Sequence, residues 1–353
     1  MAKDLRYRDA DYLIDKLRHQ NLIINDEKFA KEALEQFGYS NLIKSYRDPY
    51  VYTDHDGNKV YRDGVTFEQI CSLYMLDKNL RNAVMSAMLD LEEHIKVFAA
   101  HTVSSRFGSH QDQYLRFKNY RDRKTKKKQF TLKAIIEKMA NTMDTSKDPI
   151  HHYSTKYNQV PPWILFKSVY FSTIINFVDL FKPSEREMMA HYLYPDDTGI
   201  ASEDLQRLML DTMFIANEYR NLAAHGGRIY DHRCDYTPKT VSEVGKHLAL
   251  TDGISRLLFV LNLLKDQTPM KIVSDSLTKE LTRHCGNYPQ DVTYLGEILQ
   301  INIHTAAFVY VSKKSNKYHL DQRCSGMRNA KRLKREEAID LGYIPCQRCV
   351  KDK

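Results

Sequence analysis

No stretch of this sequence is apolar enough to cross a bilayer. Its longest apolar run, LLFVLNLL at 257–264, falls well short of the roughly 20 residues that a membrane-spanning helix needs. The opening MAKDLRYRDADYLIDKLRHQ is charged throughout and lacks the apolar centre of a secretory signal. These absences lead to the expectation of a cytoplasmic protein with no membrane partner. Cysteine is sparse too: six residues in 353, in a reducing compartment, need not form disulfides. Cys71 and Cys234 stand alone and Cys285 has only His284 beside it, so all three read as buried or inert thiols. Strand-like alternation is scarce, and no internal repeat or low-complexity tract occurs.

What remains is an ordinary globular composition, 42% hydrophobic and 28% charged, in a chain long enough for about two domains and a sizeable core. The net charge of +8 is unevenly spread. Residues 307–353 hold 12 Lys and Arg against 5 Asp and Glu, so +7 of the excess sits in the last 47 residues. The rest is close to neutral, with one local exception, RFKNYRDRKTKKK (116–128), which has 8 basic residues and one Asp. Concentrated positive charge favours phosphate-bearing partners; the other reading of such a run is a solvated loop or helix face. Within it Lys124, Lys126 and Lys127 are the candidate substrate contacts.

Helical periodicity dominates the chain. Residues 8–46 read as two short helices joined near 21–25. TFEQ (66–69) has the capping-box form, with Thr66 as N-cap and Gln69 reaching back. It opens a long helix to about Ser105, ended by FGSHQ. Further helices are expected over 132–143, from PPW (161–163) through Phe177, over 182–193 with Ser184 as cap, over 202–225, over 240–265, and within 270–306. VYVSKKSNKYHL (309–320) alternates like a hairpin with Ser315-Asn316 as its turn. The expected fold class is all-α with a small basic module at the end. Four parts follow: an N-terminal helical segment (1–65), a helical domain (66–268), a helical linker (269–306) and the module (307–353).

Two Arg-x4-His pairs occur, RNLAAH (220–225) and REMMAH (186–191). With 14 histidines, roughly one such match arises by chance. Five residues on a straight helix also place the two side chains about 140° apart, so the pair converges only where a helix end loosens or two chains combine. Context separates the two matches. RNLAAH has the small Ala223 and Ala224 and then Gly226-Gly227, where the backbone can turn. REMMAH has Met188 and Met189 at its centre and reads as core methionines flanked by a surface Arg186 and His191. On residue physics alone, Arg220 and His225 read either as an active pair or as a cationic helix end favoured by the dipole.

EYRNLAAHGGRIY resembles the Arg-x4-6-His signature of the HEPN ribonuclease superfamily. More narrowly, the chain is similar to the Abi family of bacterial abortive-infection proteins, of the AbiD/AbiF type. The likeness extends to YLIDKLRHQNLIINDEKFAKEALEQFGYSNLIKSYRDPY (12–50), to the long helix from Thr66, and to PPW, covering about 5–265. The resemblance implies a HEPN-like helical bundle with extra helices. It also implies metal-independent RNA cleavage in phage defence, toxin-like; such a toxin must be held silent, and an antitoxin protein, an RNA or control by phage infection itself all stay open. In such a site His225 is the general acid/base, Arg220 the phosphate clamp and Asn221 an orienting donor. Arg228 and Tyr230 follow the turn and read either as substrate contacts or as structural residues. HEPN ribonucleases usually build a composite cleft from two motifs across a two-fold axis, which implies a homodimer. Some carry an acidic or polar helper on an earlier helix. Glu92, Glu93 and Lys96 lie in that region, where LDLEEHIK also reads as a solvated face.

The end of the chain, KYHLDQRCSG…GYIPCQRCVK, spaces His319-x4-Cys324-x21-Cys346-x2-Cys349. Cys-x2-Cys sets two thiolates on one tight knuckle, and four such ligands suit tetrahedral Zn2+ in a closed, structural site. His304 or a residue from outside this segment is an alternative to His319. The segment resembles the small Ada-type metal-binding modules of other bacterial proteins. With its charge and Tyr310, Tyr318 and Tyr343 it is also a candidate nucleic-acid grip. A second class of function therefore stays open: a non-catalytic nucleic-acid-binding regulator that uses the zinc module, on a structural HEPN-like body.

Overall fold

The computed structural model describes residues 7–123, 125, 127–303, 308–312, 315–319, 324, 330–346 and 348. Among them helices dominate and strands are few and short. Two helices open the chain as expected, α1 (Ala10–His19) and α2 (Glu27–Phe37). Asp9 and Asp26 cap them, accepting from Tyr12 N and Phe29 N, each at 2.9 Å. A hairpin that the sequence reading missed follows, β1 (Val51–Thr53) paired antiparallel with β2 (Lys59–Tyr61). Its signal is Asp56-Gly57 between VYT and KVY; Gly57 takes φ +81° and Asp54 Oδ1 accepts from Asn58 N at 2.7 Å.

The long helix α3 (Phe67–Phe107) is close to its expected span, and Gly108 at φ +88° ends it. Thr66 Oγ1 accepts from Gln69 N at 3.0 Å as the capping pattern predicts. The reciprocal half of the box is absent, because Gln69 Nε2 donates to Asp291 at 2.9 Å instead. Next come α4 (Gln111–Tyr114), α5 (Leu132–Met143, at its predicted bounds) and α6 (Ile150–Tyr157). The helix expected from PPW through Phe177 is two, α7 (Pro162–Ser168) and α8 (Phe171–Val178). Val169 and Tyr170 between them are extended. The apolar periodicity runs through both, but α8 is buried almost all round while α7 leaves Trp163 and Lys167 exposed, so one straight axis cannot serve both.

Helix α9 (Pro183–Leu193) starts with its proline at N1; Ser184 is no cap, and its hydroxyl donates to Glu185 at 2.9 Å. Helix α10 (Ser202–Ala224) follows. The expected 240–265 helix is broken into α11 (Glu243–Leu250) and α12 (Gly253–Asn262), with Asp252 capping the second. The chain continues through α13 (Thr268–Asn287) and α14 (Val292–Leu299). It ends in β3 (Phe308–Val311), β4 (Lys317–Tyr318), β5 (Lys331–Lys334), α15 (Arg335–Asp340) and β6 (Ile344–Pro345). Among the described residues of the expected 309–320 hairpin the pairing is a single antiparallel bridge, Tyr310 to His319; the ladder of β3 is with β5, and β4 pairs parallel with β6. No helix among the described residues is long and apolar enough to cross a membrane.

The chain forms two compact units, 1–79 with 277–353, and 80–276. In the first, Asp291 is the polar centre of the core. It accepts from Tyr50 Oη at 2.8 Å, Gln69 Nε2 at 2.9 Å and His284 Nε2 at 2.9 Å, with His284 wholly buried. Full pairing is what makes a buried carboxylate tolerable. In the second unit α10 packs against α8, α9 and α12. Leu205, Leu208, Met209, Thr212, Ile215, Ala216, Tyr219 and Ala223 are among its buried residues and recur at helical spacing. Each large apolar side chain so buried stabilises by ~1.5–3 kcal/mol relative to exposure.

Candidate functional site

The C-terminal end of α10 carries the candidate pair. Arg220 sits on its last turns, about a third exposed, and its Nε donates to Glu92 Oε2 of α3 at 3.2 Å. Lys96, one turn along α3, reaches the other oxygen of Glu92 at 2.8 Å. Glu92 is nearly buried, and a desolvated carboxylate of this kind persists because two cations pair it. The helper region LDLEEHIK is thus split. Glu92 and Lys96 join Arg220, while Glu93 stays exposed on the solvent side. Arg220, Asn221, Asn217, Lys96 and Lys167 line a cavity of about 250 Å³. A larger cavity of about 730 Å³ shares Glu92, Lys96 and Lys167 with it.

His225 is the C-cap of α10, at φ −92° and ψ 9°. Gly226 then takes φ +72°, and Gly227 N donates back to Leu222 O at 2.9 Å, the ring closure of a Schellman end. A Cβ at Gly227 would lie 2.2 Å from Leu222 Cδ1 and 3.2 Å from Leu222 O, so both glycines have a physical reason. Arg81 Nη1 donates to the Gly226 and Gly227 carbonyls at 3.0 and 3.3 Å, setting a cation at the negative end of the helix. The His225 ring is exposed and makes no side-chain hydrogen bond among the described residues. Among those residues it lines neither cavity. One chain therefore presents Arg220 and His225 to different surroundings, in keeping with about 140° between them on a helix.

The segment after the turn is held along α10 by three acidic residues at heptad spacing, Asp204, Asp211 and Glu218. Glu218 accepts from Asp235 N at 2.8 Å and Tyr236 N at 3.1 Å, and meets His232 Nε2 at 2.7 Å. Asp211 accepts from Lys239 N at 2.9 Å and Thr240 N at 2.8 Å. Asp204 accepts from Val241 N at 3.1 Å and Ser242 N at 2.8 Å. The return chain thus runs antiparallel to the helix. Burial by itself raises the Glu218 carboxyl, but its bonds from His232, Asp235 N–H and Cys234 outweigh that and hold it below the usual range. Cys234 goes the other way, pushed up to about 12 by burial and by Glu218. Burial likewise raises Cys71 to about 12 and Cys285 to about 11, so none of the three is an activated thiolate.

The remaining candidates are dispersed. Arg228 pairs with Asp231 at 3.0 Å. Tyr230 is 2% exposed, and its ring packs in the core rather than meeting solvent. In REMMAH, Met189 is core as expected, but Arg186 is no surface residue: its Nη2 bonds Asp179 Oδ1 at 2.8 Å, and burial, then the neighbouring Arg121, lowers its pKa. Part of the basic run is consumed by the same carboxylate, with Arg123 paired to Asp179 and bonded to Asn176 at 3.0 Å. Lys127 is exposed; Lys124 and Lys126 lie outside the described residues.

Near the C-terminus the donor atoms of His319, Cys324 and Cys346 lie within 4.8 Å of one another. Ligands of a tetrahedral zinc stand about 3.6–3.8 Å apart, from Zn–S of ~2.3 Å and Zn–N of ~2.0–2.1 Å, so this donor set fits a small closing movement onto an ion. The β-pairing aims the donors: His319 exchanges backbone bonds with Tyr310 at 2.7 and 2.8 Å, and Cys346 N donates to Tyr318 O at 3.0 Å. Val309, Val311, Tyr318, Leu333 and Ala338 form the small core around them, with Tyr343 packed on it. Tyr318 is thus a core residue, not a free ring for nucleic acid. Cys349 and His304 lie outside the described residues.

A family model described as Abi-like protein matches residues 32–231. It takes in more than half of the chain, which belongs to that family. The matched range includes Glu92 and Lys96 on α3 and ends just beyond the RNLAAH turn; the His/Cys/Cys module lies outside it. Family membership connects the chain with abortive infection, a form of phage defence. No curated protein and no solved structure matches it.

Proposed function

We propose that this protein is a metal-independent endoribonuclease of HEPN type, a toxin-like effector of phage defence. The observation that carries the reading is the split of the RNLAAH pair. Arg220 is clamped by Glu92 with part of its guanidinium left to a cavity, and the His225 side chain, on a helix cap, has no hydrogen-bond partner among the described residues. In cleavage the 2′-oxygen of the substrate attacks the adjacent phosphorus, and its proton passes to a basic group. The P–O5′ bond breaks, and the 5′-oxygen takes a proton. The products are a 2′,3′-cyclic phosphate and a 5′-hydroxyl. A histidine serves both proton transfers near neutral pH. The guanidinium of Arg220 holds phosphoryl oxygens and offsets the charge that develops on them, and Asn221 orients them.

The two residues belong to one catalytic centre when two copies meet about a two-fold axis, Arg220 from one and His225 from the other. The C-terminal module holds structural Zn2+ through His319, Cys324, Cys346 and Cys349. The metal supplies folding energy to a module with a small core and takes no part in cleavage. An antitoxin, RNA or protein, keeps such an enzyme silent. A test is expression of wild type and His225→Ala in bacteria, with sequencing of RNA 5′-hydroxyl ends. New ends with wild type alone support the reading; equal growth and intact RNA in both, also during phage infection, overturn it.

The concentration of +7 in the last 47 residues favours one other reading, a non-catalytic nucleic-acid-binding regulator. It predicts that His225→Ala leaves both binding and biological effect unchanged.

A further inference from the structure

Resting on the ribonuclease reading, we infer that the larger cavity beside Arg220 is a nucleobase subsite, in which a base of single-stranded RNA stacks on Trp163. Trp163 is the chain's single tryptophan. It lies at the start of α7, about half exposed, on the wall of the 730 Å³ cavity. Phe166, almost fully buried, gives the same cavity an apolar floor, and Leu89, Val97 and Ala100 of α3 face it.

An apolar, half-open cavity alone says nothing about its occupant. Three observations point to a nucleotide. The cavity adjoins the one that holds Arg220, with Glu92, Lys96 and Lys167 in the lining of both, so a base in the larger space and its phosphate in the smaller fit one strand. The two linings together are cationic: Lys96 and Lys167 line both cavities and Arg220 the smaller, against Glu92 in both and Glu93 in the larger, and Glu92 is already paired by Lys96 and Arg220. Aromatic and basic side chains also alternate along this edge. Trp163 and Lys167 are one turn apart on α7, and Tyr170, three-quarters exposed, lines the smaller cavity with Lys138 Nζ 5.8 Å over its ring. Stacking rings interleaved with cations that follow the backbone is the physical signature of single-strand binding. The size agrees, since a pocket of several hundred Å3 suits one or two nucleotides. Lys167 then meets the phosphate between the two cavities and delivers it to Arg220.

The single tryptophan makes the test direct. The full-length protein is titrated with a 2′-O-methyl oligoribonucleotide of mixed sequence, which has no free 2′-hydroxyl to react, while Trp163 fluorescence is followed. Saturable quenching is expected. Trp163→Ala is expected to raise KM for RNA cleavage about 5- to 150-fold, the equivalent of the ~1–3 kcal/mol of one stacked base, with kcat changed much less. Trp163→Phe, which keeps an aromatic ring and guards against a folding defect, should recover most of that loss. RNA cleavage with no quenching and an unchanged KM in Trp163→Ala overturns the subsite and leaves the ribonuclease reading intact. Quenching without any cleavage supports the subsite and removes the ribonuclease. Fluorescence that follows protein concentration but ignores the oligonucleotide overturns the subsite in favour of a second copy of the chain.

Discussion

Replacing Glu92 by glutamine keeps its size and removes its charge, so it probes what the buried carboxylate does for Arg220. The side chain is 11% exposed and accepts from Arg220 at 3.2 Å and Lys96 at 2.8 Å. Breaking a buried ion pair by removing one partner costs ~3–5 kcal/mol. Lys96 is 14% exposed but Arg220 is 31% exposed, and water screens the arginine after the change. Discounting for that, and for the bonds an amide still accepts, leaves about 2 kcal/mol. At roughly 2–4 °C per kcal/mol for a unit of this size, thermal melting should fall by about 4–8 °C. The second consequence concerns the site: without its anchor the guanidinium samples several rotamers. RNA cleavage should drop on the order of 100-fold, the size of effect seen when a positioning group is lost. Differential scanning fluorimetry and a fluorogenic RNA assay measure the two. A variant that melts at the wild-type temperature and cleaves at the wild-type rate refutes the argument.

Other expectations follow from the same geometry. Gly227→Ala drives a methyl into Leu222 Cδ1 at 2.2 Å; overpacking of this kind costs ~1–3 kcal/mol, so urea unfolding should shift while Ala224→Ser, exposed nearby, leaves it unchanged. Glu218 has a folded pKa below its ordinary value, so its stabilisation is complete above the unfolded pKa and is lost as pH falls through the folded one. Wild type should accordingly lose stability below about pH 4.5 more steeply than Glu218→Gln, read by urea midpoints between pH 3 and 6. Cys346→Ser should remove most bound zinc as read by elemental analysis, and a strong chelator should release the metal from wild type and unfold the C-terminal module, visible as new proteolytic sites after 307.

Much of the helical layout was legible because it depends on local spacing. The α5 bounds, the buried face of α10 and its stop at Gly226-Gly227 follow from periodicity and from glycine's access to positive φ. Breaks were harder. The two apolar stretches flanking Val169-Tyr170 continue the same pattern, and only their different degrees of burial separate α7 from α8. Asp56-Gly57 was a readable hairpin signal, masked by the brevity of the flanking strands. Half of the Thr66 capping box misled, because Gln69 has a better partner 222 residues away in Asp291. The site divides in the same manner. RNLAAH stands out from REMMAH by its small residues and glycines, yet nothing local distinguishes Glu92 from Glu93. Which of two adjacent glutamates meets Arg220, 128 residues on, is decided by helix rotation against a distant element. The heptad spacing of Asp204, Asp211 and Glu218 was visible too, but acidic residues on a helix acquire meaning only when the chain returns to donate to them.

The measurement that bears most directly on the composite site is complementation between two inactive chains. Arg220→Ala and His225→Ala, carrying different tags, are co-expressed and the mixed species is purified. If Arg220 and His225 act across a two-fold axis, each purified mixed dimer holds one intact site of its two and recovers roughly half of wild-type ribonuclease activity. Either variant alone stays inactive. No recovery in a mixed dimer, or full activity in a strictly monomeric wild type, contradicts the account.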